Sequence, residues 1–153
     1  MKNQKSKQAF TMIELIFVIV VIGILAAVAI PRLAATRDDA EISKARVTVA
    51  SIRNALSMER QKRILRGDFT PITSVGSGTN VFDVFSADKD NNKEEVLEYA
   101  LKSSTSKGHW SVSGTGATTE YKFNSSAAGN PIFIITDGKF VCKTAGSCDA
   151  LID

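Results

Sequence analysis

Histidine and cysteine are scarce in this 153-residue chain, and their scarcity removes much of catalytic and metal chemistry at the outset. His109, beside Trp110, is the one imidazole. Ser106 and Ser111 lie near it, but no third group positions the ring and no glycine elbow surrounds either serine, so no nucleophile–base–orienter set is spelled out. Gly76, Gly78, Gly114 and Gly116 have neither the strand-to-helix context nor the following lysine of a phosphate-cradling loop. The two cysteines, Cys142 and Cys148, stand close to the C-terminus. A metal site there would need more soft ligands than His109 supplies. Internal repeats are absent, and an enzyme finds no supporting constellation.

What the chain has in excess is one long hydrophobic run. Residues 15–30 carry no charge, and Gly23 alone interrupts the apolar side chains. Counted from Phe10, the run has about 21 residues, enough to cross a ~30 Å hydrocarbon core as a helix. Lys2, Lys5 and Lys7 precede it, the sign expected on the cytoplasmic side of a span. Without those three lysines the sixteen remaining basic side chains equal the sixteen acidic ones. The net charge of +3 therefore belongs to a topology signal and gives no direct sign of a nucleic-acid surface. Glu14 stands one turn into the run, where a carboxylate costs a few kcal/mol in hydrocarbon and calls for a partner. Taken alone, the segment fits a signal anchor with Glu14 at the interface. It also fits a secretory signal peptide with Ala27-Val28-Ala29 at the cleavage site, although the run is as long as a membrane span.

Behind its basic leader, the run Phe10-Thr11-Met12-Ile13-Glu14-Leu15 resembles the processing site of type IV pilins and type II secretion pseudopilins. The resemblance covers roughly the first fifth of the chain. It implies that prepilin peptidase cuts between Ala9 and Phe10 and that the new amine of Phe10 is N-methylated. Glu14 then becomes the fifth mature residue, Gly23 the fourteenth and Pro31 the twenty-second, matching the family's acid and its helix-weakening glycine and proline. The family usually has glycine before the cut, where this chain has Ala9. The resemblance also implies that Glu14 neutralises a neighbouring subunit's N-terminal amine in a dry filament core, where the attraction is large. Its implied partners are further copies in a homo-oligomeric filament, pilin-like minor subunits, prepilin peptidase, an inner-membrane assembly platform, and membrane lipid before assembly. Its implied location is the bacterial inner membrane, in a single pass with the C-terminal domain in the periplasm, followed by a periplasmic or cell-surface filament.

Beyond the run the pattern changes. From residue 32 to residue 66 it is amphipathic. Ala45, Val49, Ile52 and Leu56 make one apolar stripe at spacings of four, three and four. Leu33 and Ala40 lead into the stripe, Ile64 and Leu65 follow it, and Gly67 is a C-terminal stop. Residues 67–93 read as a connecting loop with a short apolar segment at 81–85, and residues 94–102 as a short helix. Strand signals come last: Trp110 and Val112 alternate with serines, Tyr121 and Phe123 with polar neighbours, and residues 131–136 form an apolar run. Asp137-Gly138 is a two-residue hairpin turn into residues 139–143.

The expected fold is therefore α+β and type IV pilin-like, a long N-terminal helix packed on a small antiparallel sheet. Its divisions are a leader (1–9), a transmembrane or assembly helix (10–30) and a globular domain (31–153) that includes an amphipathic helix (32–66). No cofactor is expected. Asp88, Asp90 and Asn92 alternate like calcium ligands, but Lys93 replaces the glycine of an EF-hand and Tyr99 its twelfth-position glutamate. The segment reads as a solvated acidic loop, and calcium stays open because some pseudopilins bind it in this domain. If the C-terminal part is exported, Cys142 and Cys148 form a disulfide. A metal site and free thiols are the alternatives, and the family's C-terminal disulfide loop supports the bond. The expected function is a structural subunit of a type IV pilus or a type II secretion pseudopilus. The alternative is a membrane-anchored or secreted periplasmic binding domain whose N-terminus serves only for targeting.

Overall fold

A single helix, α1 (Met12–Leu65), carries more than a third of the chain. The computed structural model describes residues 10–152; the expected leader, with Lys2, Lys5, Lys7 and Ala9, lies outside the described residues. At the start of α1 the Thr11 hydroxyl accepts the Glu14 amide at 3.3 Å, and the Thr11 carbonyl accepts the Leu15 amide at 3.1 Å. At its end Gly67, at φ +70°, donates to the Ile64 carbonyl, and Asp68 donates to the Arg63 carbonyl. Those two bonds form a Schellman motif, which needs a left-handed residue that glycine adopts without steric cost. The chain divides into two units, one ending at Arg37 and the other beginning at Asp38.

The unit from Asp38 onward is built on the inner face of α1. Ala45, Val49, Ile52 and Leu56 are buried, as their spacing predicts. The stripe then continues through Glu59 and Arg63, not through the expected Ile64 and Leu65, which are exposed, Leu65 to 88%. Geometry decides this: Glu59 and Arg63 stand three and seven residues past Leu56, on the same helix face. A stripe followed by hydrophobicity alone misses them.

Two antiparallel sheets lie in this unit. The first has the order β1 (Val75–Gly76), β2 (Asn80–Phe85), β3 (Leu101–Lys102), and the second runs β4 (Trp110–Ser113), β5 (Glu120–Phe123), β6 (Ile132–Thr136), β7 (Lys139–Cys142). The second sheet is the expected one, and its β6–β7 turn has Asp137 at φ 53° and Gly138 at φ 68°, the conformation of a two-residue hairpin. The first sheet corrects two expectations. Residues 81–85 are a paired strand, not an apolar interruption in a loop. Residues 94–102 are not a helix: Phe85 donates to the Glu94 carbonyl, Val96 donates to the Asp83 carbonyl, and Glu95 bridges Val84. Backbone pairing with β2 outweighs the helical composition of that segment.

An aromatic core joins the sheets. Phe82 stacks on Tyr121 at 5.3 Å and meets Trp110 and Phe140 edge-on, while Phe133 lies parallel to Phe140 at 4.8 Å. Phe82 reaches these rings from a positive φ of 63°, beside the register shift between β1 and β2. The bulge turns both Val81 and Phe82 inward. The Val75 amide donates to the Tyr121 hydroxyl at 2.8 Å, tying the first sheet to the second. Burial pushes the Tyr121 phenol up to about 12. A disulfide joins Cys142, at the end of β7, to Cys148, just ahead of α2 (Asp149–Ile152). Closing so short a loop contributes about 2 kcal/mol through the unfolded chain.

Candidate functional site

The N-terminal part of α1 is a helix with nothing buried around it. Every large apolar side chain from Phe10 to Leu33 is exposed, from 37% at Val21 to 81% at Met12. Burying a Val, Leu, Ile or Phe side chain is worth about 1.5–3 kcal/mol. A run this long therefore demands lipid or protein from outside the chain. Glu14 sits in its first turn, where the unpaired amides of a helix start favour negative charge. Thr11 and Glu14 have the Thr-x-x-Glu spacing of a capping box, and the structure forms its threonine half. The acid thus stands at the helix end that best tolerates it. Thr11 was legible from this spacing, which hydrophobic patterning ignores. Gly23 and Pro31 lie within continuous helix. A methyl group on Gly23 would meet nothing within 4 Å, so packing within the chain does not require glycine there.

A second group of functional-looking residues gathers at the C-terminal end of α1. Arg63 and Glu59 are 2% and 3% exposed and pair through Nε and Oε1 at 2.8 Å. Arg63 also donates through Nη2 to the Ser86 carbonyl at 2.6 Å. Lys62 donates to Glu94 at 2.8 Å, and Arg66 lies 3.5 Å from the same carboxylate. The Lys62 hydrogen bond and charge hold the Glu94 carboxyl below the usual range. Asp68 accepts the amides of Thr70 and Lys89, and chiefly the Thr70 hydrogen bonds lower its carboxyl to about 2. These contacts pin the strand-bearing connection to the helix end.

Asp88, Asp90 and Asn92 do come together in one turn. Oδ1 of Asp88 accepts the amides of Asp90 and Asn92 at 2.9 and 2.8 Å, and its Oδ2 lies 4.0 Å from Arg66. The Asn92 amide is the main cause of a lowered Asp88 carboxyl. Among the described residues, no three His, Cys, Asp or Glu side chains converge as metal ligands. His109 is exposed, with Nδ1 3.0 Å from the Lys107 carbonyl, while Ser111 lies 3.0 Å from the Asn124 amide nitrogen. The structure does not bring either serine to the imidazole as an activated nucleophile.

Three arginines escaped the hydrophobic reading altogether. Arg46, Arg53 and Arg60 recur every seven residues along α1. They donate to the carbonyls of Ala150, Phe140 and Asp137 at 2.7, 3.2 and 2.9 Å. Their spacing of seven was the available signal.

Comparison with known proteins bears on the N-terminal segment. Residues 4–30 match the family described as the prokaryotic N-terminal methylation motif. The chain is 34% identical over 58 residues to the type II secretion system core protein G of Vibrio cholerae serotype O1, a stretch covering 38% of this chain and 40% of that protein. It is 43% identical over 51 residues to the type IV narrow pilus major component PilA5 of Thermus thermophilus, covering 33% of this chain and 44% of that protein. The matched stretches thus span less than half the length of these relatives. No solved structure matches the chain. Residues 4–30 thus carry the N-terminal methylation motif, and the chain is similar over part of its length to a protein of a secretion system and to a component of a pilus.

Proposed function

We propose that this chain is a structural filament subunit, of either a type IV pilus or a type II secretion pseudopilus, and not an enzyme. Prepilin peptidase cuts between Ala9 and Phe10, and the Phe10 amine is methylated. The apolar run first holds the subunit in the inner membrane with the later domain on the periplasmic side. It then enters a filament core together with other copies and pilin-like minor subunits, through an inner-membrane assembly platform. Glu14 sets the axial register by meeting the Phe10 amine of a neighbouring copy. Gly23 and Pro31 supply two soft points, since glycine costs about 1 kcal/mol in a helix and proline removes a donor.

The observation that carries this reading is the coincidence of motif and exposure. Within the stretch that matches the methylation motif, the large apolar side chains of residues 10–30 lie open. The role calls for no cofactor. The hydrogen bonds that commit Asp88 to its own turn favour that reading over calcium at Asp88, Asp90 and Asn92.

Mass spectrometry of the mature N-terminus from native membranes tests the proposal. A chain beginning at methylated Phe10 is the expected result. A chain beginning at Ile30 would mean that a secretory signal peptide had been removed, and an intact Met1 would mean a plain anchor. Either outcome would favour the targeted binding domain over the filament subunit.

A further inference from the structure

The cleft between α1 and β7 is positively charged and has no acid in its wall. It has a volume of about 380 Å³, with Arg53, Arg60 and Lys139 at its sides and Leu56 and Phe140 beneath. Arg53 and Arg60 each have one hydrogen bond, to the Phe140 and Asp137 carbonyls. A guanidinium carries five N–H donors, so each fork is fixed in place with most of its donors uncommitted. Among the described residues, neither arginine nor Lys139 forms an ion pair. Such a cleft attracts a carboxylate-bearing partner.

Segment 95–99 offers the complementary chemistry. Glu95 and Glu98 are exposed and form no ion pair among the described residues, and Tyr99 beside them is 80% exposed. The segment is held firmly: Glu95 bridges Val84, the Val96 amide donates to Asp83 at 2.8 Å, and the Val96 side chain is buried. Its preceding residue, Glu94, is bound by Lys62 and Arg66. Those two stand about 120–160° around α1 from Arg60, at 100° per residue. Cleft and acidic segment therefore lie on different flanks of the helix and meet only between copies. A contact joining two different surfaces is heterologous, and repeated without closure it builds a fibre.

We propose that segment 95–99 of one copy docks on the arginine cleft of the next, with Glu95 and Glu98 pairing with Arg53 and Arg60 and Tyr99 lying against the guanidinium faces. This deepens the filament reading and rests on it. Tyrosine and arginine are the residues that most often dominate an interface, and tyrosine on a guanidinium adds cation–π attraction.

The full chain is tested in assembled filaments. Joining Ser57→Cys, in the cleft, to Glu98→Cys in one chain should give a ladder of oxidatively cross-linked oligomers, while each single variant stays monomeric on a denaturing gel. Filaments without a ladder overturn the contact and leave the filament reading standing; a wild-type chain that forms no filament overturns that reading instead. Separately, Arg53→Glu with Arg60→Glu should lower the assembled fraction by about tenfold or more. Adding Glu95→Arg and Glu98→Arg to the same chain should restore it. Circular dichroism melts of each variant establish that it is folded, and Arg53→Gln with Arg60→Gln repeats the test without charge reversal. Folded variants that assemble at the wild-type level overturn the proposal. So does unchanged assembly combined with loss of heparin retention, which would assign the cleft to a polyanion.

Discussion

The two parts of α1 share one backbone geometry and differ in what surrounds them. Residues 12–33 expose every large apolar side chain, whereas residues 45–63 bury four apolar side chains and an ion pair. An isolated helix gains little from propensity alone, and packing supplies most of its stability. The later part is therefore supported from within the chain, and the earlier part requires an outside medium. The same contrast separates the acids. Glu14 lies open at a helix start, while Glu59 is buried against Arg63. One is available to a partner, and the other is committed.

The contrast predicts that substitutions in the two parts affect different measurements. The largest effect is expected at Glu14. Glu14→Ala should leave membrane insertion and the melting of the globular unit unchanged while abolishing recovery of sheared filaments. Normal filament yield from this variant would remove the register role and make Glu14 a tolerated interfacial acid. Next comes Arg63→Ala, which takes from the buried Glu59 its 2.8 Å partner and leaves it only Arg66 at 3.6 Å and Lys62 at 3.8 Å; it should cost about 3 kcal/mol in urea unfolding followed by Trp110 fluorescence. Replacing the pair together, as Glu59→Leu with Arg63→Met, should recover most of that loss. A single variant that unfolds at the wild-type midpoint would show Glu59 to be poorly committed.

The smallest effect concerns acid. Asp68, Asp88 and Glu94 all titrate below their ordinary values in the folded chain. The folded state then binds fewer protons than the unfolded one, so their stabilisation is full above about pH 5 and is lost as pH falls, for Asp68 toward about 2. Thermal melts should be level from about pH 7 to about 5 and decline below about 4. A melting temperature that rises on acidification would contradict the assigned hydrogen bonds.

Several features were legible because one residue type decides them locally. Gly67 ends α1 because the Schellman geometry needs a left-handed residue, and Asp137-Gly138 turns the β6–β7 hairpin for a related reason. The stripe from Ala45 to Leu56 follows from helical period alone. The missed features depend on partners distant in sequence. Glu59 and Arg63 are polar by composition, and the Ser86 carbonyl, their mutual bond and the nearby Lys62 and Arg66 let them be core residues. Residues 94–102 look helical until β2 supplies an edge on which to pair. For the candidate site, the spacing of Phe10, Glu14, Gly23 and Pro31 was readable by resemblance. The exposure of the surrounding apolar residues was readable as well, because a run long enough to cross a membrane is one the remainder of the chain is not expected to cover, and the structure leaves those side chains open.

One bond at the edge of the second sheet bears on how copies of this chain fail to join. β7 is an edge strand, and Arg53 occupies its Phe140 carbonyl. An open strand edge is a template for any other strand, and strand addition at such an edge is a route to amyloid-like aggregation. In the proposed filament role the protein would be concentrated by its own function, and indiscriminate strand addition would compete directly with ordered growth. By holding the Phe140 carbonyl with a charged side chain, α1 blocks that position to an incoming strand, and copies that come together are left to join through side chains instead.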